Sequence, residues 1–212
     1  MSIDRAEHYE RENLLQLVAE DDPFTIERYE QFARHLPSHA RVVVDVGCGT
    51  GRGGTVLARA RRDLQLWGID VVQRRLDALP DVYRRRVRGL STELPLEDRS
   101  VDAIVAGEFL EHLTPGDVDP TLCEFQRVLR IGGRLLLTTP NPSYVRIRLK
   151  GISVYGPGHL TQHHSSVLRH RLRMHGFAGV RTRGSGGASR YLGERVPVLP
   201  LYGSYLMVAD KK

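Results

Sequence analysis

Cysteine is almost absent from the sequence: Cys48 and Cys123 are the two thiols in 212 residues. Without a C-x-x-C spacing they support neither a disulfide framework nor a structural zinc site, so both read as free thiols in a reduced, cytoplasmic compartment. Long apolar runs are missing too. The opening MSIDRAEHYERENLL is charged from its fourth residue and lacks the apolar core of a signal peptide. The most apolar later stretch, VPVLPLYGSYLMVA, is broken by Pro197, Pro200 and Gly203 and is too short to cross a bilayer. No membrane span is therefore expected. Internal repeats, low-complexity tracts and a linker between halves are also lacking. With 41% hydrophobic residues, the composition supports one sizeable core, and residues 1–212 read as a single domain.

The charge balance is basic, +6 from 31 Lys and Arg against 25 Asp and Glu. The excess lies in scattered arginines such as Arg61, Arg62, Arg84, Arg85 and Arg86, which fits a solvated face better than a nucleic-acid footprint. A small-molecule partner is favoured over a nucleic acid.

Short runs rich in Val, Leu and Ile recur at Arg41 to Val46, Leu64 to Ile69, Val101 to Ala106 and Gly133 to Thr138. Their few polar interruptions are those of strands covered on both faces, and segments of helical length separate them. This is the pattern of a parallel sheet with crossover helices. Tyr29, Phe32, Ala33 and Leu36 fall at i, i+3, i+4 and i+7, an amphipathic helix facing that sheet. Residues 4–18 read as a more exposed helix, so 1–22 is expected to form a lid over a ligand. Ser165 or Ser166 can cap a helix that Gly176 ends. Ala178 to Arg183 and Ser204 to Asp210 follow as strands with no clear helix between them, an antiparallel pair at the sheet edge.

The stretch VVVDVGCGTGRGG runs from the first strand into a glycine-rich turn. Its Gly49-x-Gly51-x-x-Gly54 pattern alone is a weak sign of dinucleotide binding. Asp45, at the carboxyl end of the strand, would repel a pyrophosphate and favour a ligand carrying an ammonium and a sulfonium. Asp70 ends the next strand, where its oxygens can accept both hydroxyls of a ribose. Cys48 is explained by a small side chain in a tight turn.

DVGCGTG followed by GID, then ELPLEDRSVDAIVAGEFLEHL and RVLRIGGRLLLTTPNP, resembles the class I S-adenosylmethionine-dependent methyltransferases. The resemblance covers roughly residues 25–180. It implies an α/β, Rossmann-like fold: a seven-stranded, mostly parallel sheet in the order 3-2-1-4-5-7-6, the last strand antiparallel, with helices on both faces. It also implies S-adenosyl-L-methionine as cofactor. Asp45, Gly47, Cys48, Gly49 and Gly51 would surround the methionine part, and Asp70 with Val71 the ribose. Where such proteins often place an acid for the adenine amine this chain has Leu90 and Ser91, so the contact falls to backbone or to the Ser91 or Thr92 hydroxyl.

Glu108, Glu111 and His112 follow the fourth strand at spacings that would share one helix face. Glu-x-x-Glu-His here resembles the metal site of two methyltransferase groups, one acting on catechol hydroxyls in ubiquinone biosynthesis and one on the terminal ribose of small RNAs. The resemblance makes Glu108, Glu111, His112 and His159 candidate ligands for Mg2+ or another divalent metal, and His159 and His112 candidate general bases without one. His163 and His164 read as surface residues.

The sequence thus points to O-methylation of a small polar acceptor: a sugar, a glycan or lipid intermediate, or a phenolic compound. The segments 143–162 and 184–203 are expected to build its pocket, with Arg146, Arg148 and Lys150 between Tyr144 and Tyr155 able to meet a phosphate. A ribose methyltransferase for RNA, a nicotinamide oxidoreductase and a non-catalytic binding domain are the competing readings. The segment after TTPNP lacks the dense histidine and aromatic pattern of the RNA group.

Overall fold

The computed structural model describes residues 7–11, 23–155 and 158–212. Seven strands form one sheet in the order β3-β2-β1-β4-β5-β7-β6. They are β1 (Val42–Val46), β2 (Gln65–Asp70), β3 (Tyr83–Arg88), β4 (Val101–Gly107), β5 (Leu129–Pro140), β6 (Phe177–Ser185) and β7 (Ser204–Lys211). The β1–β2, β1–β4, β2–β3 and β4–β5 pairs are parallel, and β7 runs antiparallel to both β5 and β6. The order and the reversed last strand are those expected from the sequence.

Strand β3 is the element that the apolar pattern hides. Its sequence YRRRVR exposes Arg84, Arg85 and Arg86, because a strand at the sheet edge needs little apolar cover. Arg85 instead lies over the ring of Trp67, its cross-strand neighbour, with the guanidinium carbon 4.4 Å from the centroid.

Alternation along the strands sends side chains to two apolar layers. Val44, Val46, Ile104, Leu135 and Leu137 pack with Val118, Leu122 and Phe125 of the helix Pro115–Val128, and with Leu168 and Leu172 of the helix Ser165–Met174. Val43, Ala103, Val105 and Leu136 face the other way, onto Tyr29, Phe32 and Leu36 and onto Leu57 and Leu76. In chain order the helices are α1 (Pro23–His35), α2 (Arg52–Ala60), α3 (Gln73–Asp77), α4 (Pro115–Val128), α5 (Val145–Leu149), α6 (Ser165–Met174) and α7 (Ser189–Leu192). Helix α1 is the amphipathic helix expected around Tyr29 and Phe32. Neither Ser165 nor Ser166 caps α6: His164 takes the cap position without a side-chain bond, while Gly176, at φ 82°, follows its end as expected.

Residues 7–11 are helical; the rest of the expected lid helix, 4–6 and 12–18, lies outside the described residues, as do the remaining residues of 1–22 before Pro23. Among the described residues no helix is long and apolar enough to cross a membrane. Asn141, in the turn after β5, donates to the carbonyls of Leu199 and Tyr202 and so holds the segment before β7 against the sheet. The carboxyl ends of β1, β2, β4 and β5 meet at one edge, where ligands of open α/β sheets bind.

Candidate active site

The turn after β1 is built by glycine geometry. Gly47, Gly49 and Gly51 have φ of 69°, 53° and 77°, the left-handed region that side chains disfavour. A Cβ on Gly47 would sit 2.5 Å from the ring of Phe109. Two tyrosines from elements distant in sequence grip the turn from below. Tyr29 donates to Oδ1 of Asp45 at 2.7 Å, and Tyr83 donates to Oδ2 at 2.6 Å while accepting the Gly54 N–H at 3.1 Å. The rings of Tyr29 and Tyr83 occupy the space that side chains at positions 53 and 54 would need.

Asp45 therefore does not face the ligand as the sequence suggests. It is fully buried beneath the turn, does not line the cavity, and is committed to the two hydroxyls. Burial pushes its carboxyl up to about 6, against the lowering effect of the two hydroxyls.

The cavity above the turn has a volume of about 260 Å³. Gly47, Cys48 and Gly49 form its floor, Asp70 and Val71 one wall, and Leu90, Ser91 and Thr92 the far end. Asp70 accepts N–H groups of Val72 at 2.9 Å and Gly49 at 3.0 Å, one on each oxygen. It thus starts α3 and pins the turn, and each oxygen keeps a lone pair for a diol. Burial pushes this carboxyl up as well. Ser91 spends its hydroxyl on Thr121 at 2.8 Å, beneath the cavity end. Burial pushes the Cys48 thiol well above its ordinary range.

On the opposite side the cavity is closed by Tyr9, Thr25 and Arg28. Tyr9 donates to Asp117 at 2.5 Å and accepts the Thr114 N–H at 2.9 Å, which fastens residues 7–11 to the start of α4. Burial, reinforced by Asp117, pushes its hydroxyl up to about 12. Arg28 is nearly buried, and its Nε has no hydrogen-bond partner among the described residues; Oε1 of Glu108 is 3.6 Å away.

The Glu-x-x-Glu-His stretch is not an α-helix. Glu108 has φ 48° and donates its N–H to the Thr138 carbonyl, and Leu110–His112 form one tight 3-10 turn. This geometry separates the two acids. Glu108 lines the cavity beside Arg28 and Ser204. Glu111 turns inward and is 1% exposed, with the Thr139 hydroxyl and its own backbone N–H beside the carboxyl but neither in good hydrogen-bond geometry. Burial, then the nearby Glu108, push its carboxyl well above the usual range.

Glu111, His112 and His159 converge, each offering a ligand atom within 4.8 Å of the others. Glu108 is not in that group, which corrects the four-ligand expectation to three. The rings of His112 and His159 meet edge to face at 5.0 Å. Nδ1 of His112 is 2.8 Å from the Gly158 carbonyl and Nδ1 of His159 is 2.8 Å from the Val154 carbonyl. A carbonyl only accepts, so each Nδ1 carries the hydrogen and each Nε2 keeps a lone pair. Burial pushes the His112 imidazole below its ordinary value.

His163 is buried rather than exposed, bonded to Thr161 at 2.9 Å, with its carbonyl accepting the Tyr205 hydroxyl. The segments 143–162 and 184–203 contribute no lining to the main cavity among the described residues. The first reaches the site through Val154, Gly158 and His159, behind His112.

Comparison with known proteins places this geometry. A methyltransferase domain family profile matches residues 44–137, from β1 through most of β5. An uncharacterized methyltransferase of Mycobacterium tuberculosis is 39% identical over 102 residues, 47% of this chain and 40% of that protein. A fatty-acid O-methyltransferase of Mycolicibacterium smegmatis is 34% identical over 128 residues, 57% of this chain and 45% of that protein. Residues 44–137 thus match a methyltransferase domain, inside a sheet of the class I methyltransferase order. The fold of the chain matches the crystal structure of a SAM-dependent methyltransferase from Archaeoglobus fulgidus over 99% of both chains, with a TM-score of 0.69 and 19% identity. The chain spans less than half the length of the curated relatives it matches.

Four residues of the candidate site escape sequence reading. Tyr29 reads as core, Tyr83 lies beside a run of arginines, Arg28 belongs to no motif, and Phe109 sits inside the Glu-x-x-Glu-His stretch without a role of its own. The paired glycines Gly53 and Gly54 are the signal that large side chains press on the turn.

Proposed function

We propose that this chain transfers the methyl group of S-adenosylmethionine to a hydroxyl of a small amphiphilic acceptor, with His112 as the general base. The observation that carries this reading is His112 on the cavity wall, its Nδ1 held by the Gly158 carbonyl and its imidazole pushed below its ordinary value by burial. When bound, S-adenosylmethionine would supply an electrophilic methyl for in-line attack by an acceptor oxygen, with S-adenosylhomocysteine as the leaving group. Asp70 holds the ribose diol, and the left-handed turn at Gly47 to Gly51 lets backbone approach the ligand closely. Arg28 pairs with the methionine carboxylate: its Nε, next to the cavity, makes no hydrogen bond among the described residues and has only the 3.6 Å ion pair with Glu108. His112 takes the hydroxyl proton on Nε2, its ring held in place by the Gly158 carbonyl.

The acceptor class is supported by the segment behind the histidines. Val145, Leu149, Ile152 and Tyr155 are exposed, Leu149 by 82%, and alternate with Arg146, Arg148 and Lys150. Apolar side chains on a basic surface fit an acceptor with an apolar tail, as has the fatty acid in the name of the Mycolicibacterium relative. Methyl transfer from labelled S-adenosylmethionine to hydroxylated lipids, sugars and phenols tests the reading; transfer to none of them by a protein that binds S-adenosylhomocysteine overturns it.

Glu111 favours a second reading of the same residues. A buried carboxyl with no well-formed hydrogen bond among the described residues, beside two imidazoles whose Nδ1 atoms are fixed by carbonyls, is a donor set that fits a divalent cation. Such a cation would lower the pKa of a bound acceptor hydroxyl. Calorimetric titration with manganese tests it, and absence of binding above pH 7 removes it.

A further inference from the structure

Away from the cavity, α4 and α6 lie side by side over the same apolar layer, with Leu122 and Phe125 beside Leu168 and Leu172. Asp119 and Cys123 stand one turn apart on α4; Arg171 and His175 stand one turn apart at the end of α6. Their outer faces meet in a hydrogen-bonded chain. Arg171 grips the Asp119 carboxylate through Nε at 2.5 Å and Nη2 at 2.9 Å, and Nε2 of His175 is 2.8 Å from the same carboxylate. Nδ1 of His175 is 3.3 Å from Sγ of Cys123.

The protonation pattern follows from the partners. Arg171 holds the Asp119 carboxyl down at about 2, so it is ionised and only accepts. The hydrogen of the imidazole therefore sits on Nε2, and the lone pair of Nδ1 faces the thiol. Cys123 is free and exposed, and none of these four residues lines the cavity. An open thiol with an oriented base, itself oriented by a carboxylate, is the arrangement that activates a nucleophile.

We propose that Cys123 is a modification site that exchanges with small-molecule disulfides. His175 takes the thiol proton on Nδ1, and the Cys123 sulfur attacks one sulfur of the disulfide. The S–S bond of the reagent breaks as the new one forms, and the departing thiolate takes the proton back from His175. Cys123 is oxidised to a mixed disulfide and the leaving thiol is reduced, so the disulfide itself is the oxidant.

The test is the rate of reaction with 5,5′-dithiobis(2-nitrobenzoate) at pH 7, with the modified residue located by peptide mass. Cys123 is expected to react at least tenfold faster than glutathione under the same conditions, and Cys48, buried in the cavity floor, to stay unmodified. His175→Asn and Asp119→Asn, checked for an unchanged melting temperature, are expected to slow the reaction about tenfold. A Cys123 rate no faster than glutathione overturns the proposal without recourse to any variant, as does modification of Cys48 in its place. Folded variants that react at the wild-type rate overturn the role of His175.

Discussion

The hydroxyl of Tyr83, the first residue of edge strand β3, donates to the buried carboxylate of Asp45 at 2.6 Å and accepts the N–H of Gly54 at 3.1 Å. One side chain thus ties the sheet edge to the strand and helix that enclose the glycine turn. The acid gains two hydroxyl donors and loses all contact with water, and the second effect dominates, because its carboxyl rises to about 6.

A pH prediction follows from that rise. Between the unfolded value of about 4 and about 6, the folded chain binds a proton that the unfolded chain has released. The contribution of Asp45 to stability is therefore fully present below about pH 4, falls as pH rises to about 6, and is constant above. Asp45→Asn removes this dependence. Urea unfolding between pH 4 and 6.5 should show the wild type losing about 3 kcal/mol relative to the variant across the window. Parallel curves would show that Asp45 is ionised throughout.

Arg28 separates two parts of the cofactor. Arg28→Met is expected to weaken S-adenosylhomocysteine about tenfold or more, since a buried charge pair is lost. Binding of 5′-methylthioadenosine, which has no carboxylate, should change by less than twofold. Calorimetry with both ligands checks this, and equal losses would place Arg28 elsewhere than at the carboxylate.

His112→Ala should lower kcat about 100-fold or more while leaving S-adenosylhomocysteine affinity within about threefold. In the wild type, burial keeps His112 neutral to a pH below the ordinary histidine value. The proton acceptor is lost only as pH falls through that lowered value, so kcat should be flat above pH 7 with its acid limb below about 6.5. An acid limb above pH 7 would assign the base to another group.

Burial and the nearby Glu108 favour the protonated form of Glu111, with which a cation would have to compete. Manganese affinity should therefore rise with pH by up to tenfold per unit, and Glu111→Gln, neutral and of the same shape, should abolish it without lowering the melting temperature. Isothermal titration at pH 6.5, 7.5 and 8.5 measures the slope. A pH-independent affinity would mean that the cation binds elsewhere.

Much of this was legible in the sequence because it is periodic or punctuated. The strands β1, β2 and β4 read as apolar runs, Gly47 to Gly51 as a turn, and Asp70 as a strand-end acid, and each stands where its pattern says. The failures have physical causes. Strand β3 is an edge, covered by arginine stems and one tryptophan instead of a second apolar layer. The spacing of Glu108, Glu111 and His112 assumes 3.6 residues per turn, whereas the positive φ of Glu108 and a 3-10 turn send the two acids in different directions. Asp45 sits at a strand end like Asp70, but only the fold shows that Tyr29 and Tyr83 have taken its oxygens.

The claim on which the rest depends is that the cavity over the glycine turn holds S-adenosylmethionine through Asp70. Calorimetric titration of the wild type and Asp70→Ala with S-adenosylhomocysteine tests it most directly. The account predicts one site per chain with micromolar affinity, weakened about tenfold or more in the variant. No heat of binding in the folded wild type, or equal affinity in the folded variant, would contradict it.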